Sequence, residues 1–155
     1  MKTTPSRKGF HLLPIHLDST VEALGLPWSD DLGSMIEMTK AFYGQSGYSP
    51  PWISYLAIQD GEAVGGGAFV GAPRNGAVEI AYFTLPDRQG QGIATLTATA
   101  LVEIARSGTK DIAVLAKTLP RPNTSARLLQ RLGFDRTGLA HDHDIGEAWL
   151  WTLTT

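Results

Sequence analysis

Apolar positions along this chain recur first at helical and then at strand spacing, and the switches mark its elements. "GFHLLPIHL" (9–17) predicts an opening strand, with Pro14 suited only to a sheet edge or a strand end. In "SDDLGSMIEMTKAFYGQ" (29–45), Leu32, Met35, Ile36 and Thr39 share one face, with Phe42 or Tyr43 below. That spacing predicts a helix capped by Ser29 or Asp30 and stopped by Gly44. Three strand-like runs follow: "WISYLAIQ", "EAVGGGAFVG" and "AVEIAYFTL". Asp60-Gly61 and Asn75-Gly76 separate them and supply the positive φ of two-residue hairpin turns, so the block reads as an antiparallel meander. Gly65, Gly66 and Gly67 weaken its middle strand and point to a bulge or a close neighbour.

The period then returns to helical. "GIATLTATALVEIARSG" (92–108) places Ile93, Leu96, Ala100 and Ile104 on one face, and Gly108 ends the run. "DIAVLAKT" is apolar on both faces, as a buried parallel strand is. Together with the preceding strand these form a βαβ unit. "LPRP" leads to a second helix, "NTSARLLQRLG", with Leu128, Leu129 and Leu132 inward and Gly133 as terminator. "FDRTGLAH" and "EAWLWTL" are closing strands. The expectation is an α/β (α+β) domain: a mixed, mostly antiparallel central sheet flanked by helices.

Composition narrows the function classes. The 155 residues are 43% hydrophobic and 18% charged, with a net charge of −2, as in one globular domain spanning 1–155. No net positive field draws in nucleic acid. The absence of cysteine removes disulfides, thiolate metal ligands and a cysteine nucleophile, and fits a cytoplasmic protein. The basic start "MKTTPSRK" resembles a signal peptide, but His11, Pro14 and His16 break the apolar run behind it, so secretion is not expected. No stretch reaches the roughly 18 apolar residues a membrane span needs, so no membrane partner is expected.

The chemistry gathers around "QGQGIA" (89–94). Two glycines at a helix entrance suit close approach of an anion to unpaired N–H groups at the positive end of the helix dipole. A Walker A loop needs Gly-Lys-Ser/Thr, and Gly92-Ile93-Ala94 does not supply it. A dinucleotide fingerprint needs a third glycine where Thr95 stands. A plain tight turn without ligand is the remaining alternative.

Gln89-Gly90-Gln91-Gly92-Ile93-Ala94 resembles the acetyl-CoA signature Q/R-x-x-G-x-G/A of the GNAT acyltransferase superfamily. "VEIAYFTLPD" resembles the strand leading into that signature, and "NTSARLLQRLGF" the later helix of the family. The order of elements is similar over nearly the whole chain, loosely nearest the branch that modifies ribosomal-protein N-termini. The resemblance implies a GNAT-like acyl-CoA N-acyltransferase fold and an N-acetyltransferase with acetyl-CoA as cosubstrate, no metal, and a homodimer as one arrangement open to it. It implies that the amides of Gln91, Gly92, Ile93, Ala94 and Thr95 meet the coenzyme diphosphate, with Gln89 and Gly90 shaping the loop. Backbone groups of Tyr82, Phe83 and Thr84 would line the pantetheine arm where two strands splay apart. The acceptor would be a small-molecule amine or a peptide N-terminus.

Acyl transfer needs a neutral amine. A lysine-like amine near pKa 10.4 pays about 4.6 kcal/mol for that at pH 7, and an α-amine about 1–1.4 kcal/mol. Glu79 lies on a strand face with Ala81 and Phe83, opposite Val78, Ile80 and Tyr82, and is the candidate base; an ion pair at the strand end is the alternative. Many family members protonate the leaving thiolate with a tyrosine, but the alignment puts Leu129 at that position. It leaves Ser125 as candidate proton donor and Asn123 as coenzyme contact, while both residue types also cap helices. The absent tyrosine also admits a rival function, a non-catalytic acyl-CoA sensor or assembly module. Trp28, Asp30, Asp31, Tyr43 and Trp52 fall where the family borders its acceptor pocket, with Trp52 read as a core aromatic. Arg88, Lys117, Arg121 and Arg127 are candidates for the coenzyme 3′-phosphate. "HDHD" (141–144) offers too few convergent ligands for a metal and reads as a polar turn.

Overall fold

The computed structural model describes residues 9–154. The basic start at Lys2, Arg7 and Lys8 lies outside them. Seven strands form one sheet in the order β1-β2-β3-β4-β5-β7-β6. These are β1 (Phe10–Pro14), β2 (Ser54–Gln59), β3 (Glu62–Phe69), β4 (Ala77–Thr84), β5 (Ala113–Thr118), β6 (Asp135–Asp142) and β7 (Gly146–Leu153). Only the β4–β5 pairing is parallel. Among the described residues four α-helices accompany the sheet: α1 (Val21–Leu24), α2 (Asp30–Ser46), α3 (Ile93–Gly108) and α4 (Thr124–Arg131). Pro14 stands at the end of the edge strand, where a missing N–H costs no ladder bond.

Both expected turns form. Asp60 and Gly61 have φ of 51° and 83°, and Asn75 and Gly76 of 52° and 76°. The bulge falls where β2 and β3 shift register between Ala57 and Ile58, leaving Val64 opposite the shift. The three glycines also meet close neighbours. A Cβ on Gly67 would stand 2.8 Å from Leu101 and Thr97, and one on Gly65 would collide with the Phe83 carbonyl.

Helix α3, packed against Gly67, turns inward a face beside the one read from Ile93, Leu96, Ala100 and Ile104. Ile93, Thr97, Leu101 and Ala105 are buried, while Leu96, Ala100 and Ile104 are only half-buried. Thr97 tolerates burial because its hydroxyl donates to the Ile93 carbonyl at 2.9 Å. Gly44 does not stop α2. The helix runs to Ser46 and ends at Gly47 (φ 88°), whose N–H donates to the Tyr43 carbonyl. Tyr43 anchors the extra turn: its hydroxyl donates to the Ile15 carbonyl at 2.7 Å and accepts from the Ser54 N–H at 2.9 Å.

Helices α3 and α4 pack on one face of the sheet, over Val78, Ile80, Val114, Ala116 and Trp151. Helices α1 and α2 cover the other face, mainly through Leu32 and Ile36 against Leu56 and Ile58.

Candidate active site

The site is assembled around β4. The parallel register with β5 runs from Ala77↔Ala113 to Ile80↔Ala116 and stops there, although both strands continue. Beyond Ile80 a seam opens between them. Val70 donates to the Glu79 carbonyl, and Leu85 donates to the Val64 carbonyl, so odd-numbered residues of β4 turn their main-chain groups toward β3. By strand alternation Tyr82 and Thr84 turn theirs toward the seam. Phe83, between them, directs its main chain to β3 and its ring to the α2 side.

A 3₁₀ turn at Pro86–Arg88 carries the chain from β4 into the glycine loop. Gly90 and Gly92 take φ of 79° and 83°, the left-handed region in which only glycine is unstrained. Gly92 is the N-cap of α3 and contributes no side-chain cap. Intrahelical bonding starts with Leu96 donating to the Gly92 carbonyl, which leaves the amides of Ile93, Ala94 and Thr95 at the open end. Gln91 is exposed beside them. Gln89 fixes the loop to the strand, its Nε2 donating to the Thr84 carbonyl at 3.3 Å. The Thr84 Oγ1 is buried with no partner.

Across the seam, Ser125 in the first turn of α4 meets Tyr82, with 3.0 Å between the two hydroxyl oxygens. Burial raises the Tyr82 pKa, and the bond to Ser125 opposes that shift only partly. Asn123 is the N-cap of α4: its Oδ1 accepts from the Ala126 N–H at 2.7 Å. Its side chain is thus committed to the helix.

Glu79 is ion-paired. Its Oε1 lies 3.4 Å from Lys117 Nζ, with side chains 22% and 24% exposed respectively. The pair ties β4 to β5 just where their ladder ends, and it is the alternative that strand position left open. Lys117 is therefore engaged with Glu79, and Arg88 is ion-paired with Glu62. Of the four basic candidates, Arg127 lies in a groove along α4 with Gln130 and Arg131.

The acceptor-side candidates divide. Tyr43 is a buried tie, and Trp52 packs edge-on against Phe69 at 5.2 Å. Trp28 and Asp30 line a surface groove at the start of α2, and Ser29 is the cap of that helix. None of these lines the cavity beside β4. Its walls are Met35, Met38 and Phe42 of α2, with Ala68, Ala81 and Phe83 of the sheet. Sequence reasoning placed Met35 on the inward face of α2 and did not single out Met38. In the β6–β7 turn, Asp142 accepts from the N–H groups of Asp144 and Ile145, and the first of these bonds is the main cause of its lowered pKa.

A family model described as an acetyltransferase (GNAT) domain matches residues 9–135. The chain belongs to the GNAT acetyltransferase family. Acyl-CoA-dependent N-acetyl transfer is thereby its reaction class, as the glycine-loop resemblance implied. No curated protein matches by sequence. Among solved structures, the GNAT fold is shared with RimL, a ribosomal-protein α-N-acetyltransferase, at a TM-score of 0.68 and 20% identity over 98% of this chain and 93% of that one. A Salmonella typhimurium acetyltransferase that modifies a ribosomal-protein N-terminal serine gives 0.65 and 18%, covering 95% of each chain. The microcin self-immunity acetyltransferase MccE, in complex with acetyl-CoA and AMP, gives 0.67 and 16%, covering 95% and 93%. Among the described residues no helix is long and apolar enough to cross a membrane.

Proposed function

We propose that this domain moves an acetyl group from acetyl-CoA to a primary amine by direct attack, with both substrates bound together. The observation that carries this reading is the uncapped start of α3 behind two left-handed glycines, next to a strand edge whose ladder has ended. The residues present fit the coenzyme. Open amides from Gln91 to Thr95 suit a diphosphate, and outward main-chain groups of Tyr82 and Thr84 suit the amide-bearing pantetheine arm. The unpartnered Thr84 Oγ1 is a further polar group in want of a bond at the same seam. Acetyl-CoA supplies the activated acyl group.

The chain's own groups have separate roles. The Tyr82 N–H polarises the thioester carbonyl, as a preorganised donor does at an oxyanion. Glu79, paired with Lys117, takes the amine proton directly or through a water. The Ser125 hydroxyl donates a hydrogen bond to the departing sulfur. Tyr82 acts on Ser125 as a positioning residue. Its phenol, kept protonated by burial, donates to Ser125 Oγ and leaves the serine proton free to turn into the seam. Asn123 shapes the same end of α4 as a cap, without needing to touch the coenzyme.

Direct attack by the acceptor, a small amine or a peptide N-terminus, fits a cysteine-free protein, because no acetyl-cysteine step is available. Thiol release from acetyl-CoA across a panel of primary amines tests the reading. Release with at least one amine, together with acetyl-CoA binding by calorimetry, supports it. Binding without release for any amine would identify a coenzyme-binding module instead, and no binding by folded protein would sink both.

A further inference from the structure

Central strands of a helix-covered sheet normally present large side chains to the helix. On the α2 side of β3 and β4 this protein presents Gly66, Ala68 and Ala81, with Ala68 and Ala81 directly paired across the ladder. A Cβ on Gly66 would stand 2.8 Å from the Phe83 ring and would push the ring aside. The ring lies over the glycine and becomes a wall. Between these small residues and α2 remains a cavity of about 330 Å³, at the lower end of the ~300–1,000 Å³ range of small-molecule sites. Its lining includes no Asp, Glu, Lys or Arg. Three of the large apolar side chains left most exposed crowd its mouth: Met38 at 72%, Phe83 at 48% and Val70 at 44%. Exposed apolar groups gathered at one opening mark a binding surface, whereas scattered ones do not.

Its position relates it to the chemistry. One wall is the face of β4 whose edge forms the seam, and Tyr82 belongs to both. Glu79 stands on the same strand face as Ala81, two residues away. An occupant of the cavity with its polar head along Ala81 toward Glu79 places that head beside the start of the seam.

We infer that the cavity holds the hydrocarbon part of the acceptor, so that the preferred substrate is a primary amine carried on a single alkyl or aromatic group. The inference rests on the acetyltransferase reading above. A second charge on the acceptor finds no partner among these walls and is excluded by the cost of burying it.

The test is a homologous series of n-alkylamines, ethylamine to octylamine, with putrescine as the doubly charged control. Alkylamines share nearly the same basicity, so differences along the series report the chain. The expected result is a rise in kcat/KM of about fourfold per methylene until the cavity is filled, then a plateau, with putrescine no better than ethylamine. The same ranking is expected when the series is titrated calorimetrically into the protein–coenzyme A complex. Ala81→Leu fills the cavity: the plateau should come at least two methylenes earlier while acetyl-CoA affinity stays within twofold. Ala68→Leu serves the same purpose should Ala81→Leu fold poorly.

Turnover with a flat series, or a preference for putrescine, overturns the inference and leaves the enzyme standing. A graded binding series without turnover removes the enzyme and leaves the apolar amine site standing. A flat series accompanied by a dimer that Met38→Lys dissociates assigns the face to a second copy of the chain and overturns the inference.

Discussion

Helices α3 and α4 both begin beside β4, yet they close their first turns in opposite ways. Gln89, ahead of α3, donates to Thr84, and Ser125, inside α4, meets Tyr82. Helix α4 carries its own cap, with Asn123 accepting from the Ala126 N–H; α1 and α2 do likewise with Thr20 and Ser29. Helix α3 starts at Gly92, which has no side chain to cap with and whose conformation penalises any replacement. A self-capped end has satisfied part of its own demand for an anion. An uncapped end of a 16-residue helix has not. The contrast separates a helix start that serves the fold from one offered to a ligand, and substitutions at the two caps should fail in different ways.

The largest effect is expected at Gly92. Valine there must adopt a positive φ and sets a branched side chain over the open amides. Acetyl-CoA affinity should fall at least about 100-fold by calorimetry, with a loss of stability of about 1–2 kcal/mol from the strained residue. Affinity within threefold of the parent would mean that the diphosphate is held elsewhere.

Ser125→Ala comes next. A hydrogen bond to a charged sulfur contributes about 1.5–3 kcal/mol, so kcat should fall about 10- to 150-fold with the KM for acetyl-CoA nearly unchanged. Tyr82→Phe removes only the bond that orients Ser125, and a loss of about 2- to 10-fold is expected. Because Tyr82 acts through Ser125, the double variant should resemble Ser125→Ala alone rather than the product of the two losses. The raised Tyr82 pKa keeps the phenol neutral below pH 9, so no fall in kcat over that range should trace to it. A fall centred below pH 9 that vanishes in Tyr82→Phe would contradict the positioning role.

Glu79→Gln distinguishes base from ion pair. As base, its loss should lower kcat/KM for an alkylamine at pH 7 by about 100-fold and leave a rate that rises with pH as the neutral amine becomes available. As a half-buried partner of Lys117 alone, its loss should leave the profile unchanged and cost only modest stability.

Most of the fold was legible because it depends on local rules. Asp60-Gly61 and Asn75-Gly76 declare their turns through backbone conformation, and Ser29 declares a helix start through a bond within one turn. The glycine loop was legible for the same reason. What escaped depends on partners distant in sequence. Gly44 reads as a stop until the Tyr43 hydroxyl finds Ile15 and Ser54. Helix α3 offers two apolar faces, and its packing against Gly67, twenty-six residues before its start, accompanies the choice of Ile93, Ala98, Leu101, Val102 and Ala105 over the face read from the sequence. The bond from Tyr82 to Ser125 and the pair of Glu79 with Lys117 arise from register between strands and from helix placement. The cavity was least legible, because it consists of side chains that are too small.

Asn123→Ala brings the comparison back to α4. Loss of an asparagine cap costs about 1 kcal/mol, which for a domain of this size lowers Tm by about 2–4 °C. Because the Asn123 side chain is committed to the Ala126 N–H, acetyl-CoA affinity should stay within about twofold. The amide freed at the start of α4 gains no anion in compensation, because α4 spans only eight residues and Ala126 is buried, which leaves little field or access. A large affinity loss with unchanged Tm would invert the assignment, making Asn123 a coenzyme ligand and its bond to Ala126 a resting contact. The two cap variants measured side by side thus decide which helix start carries the diphosphate.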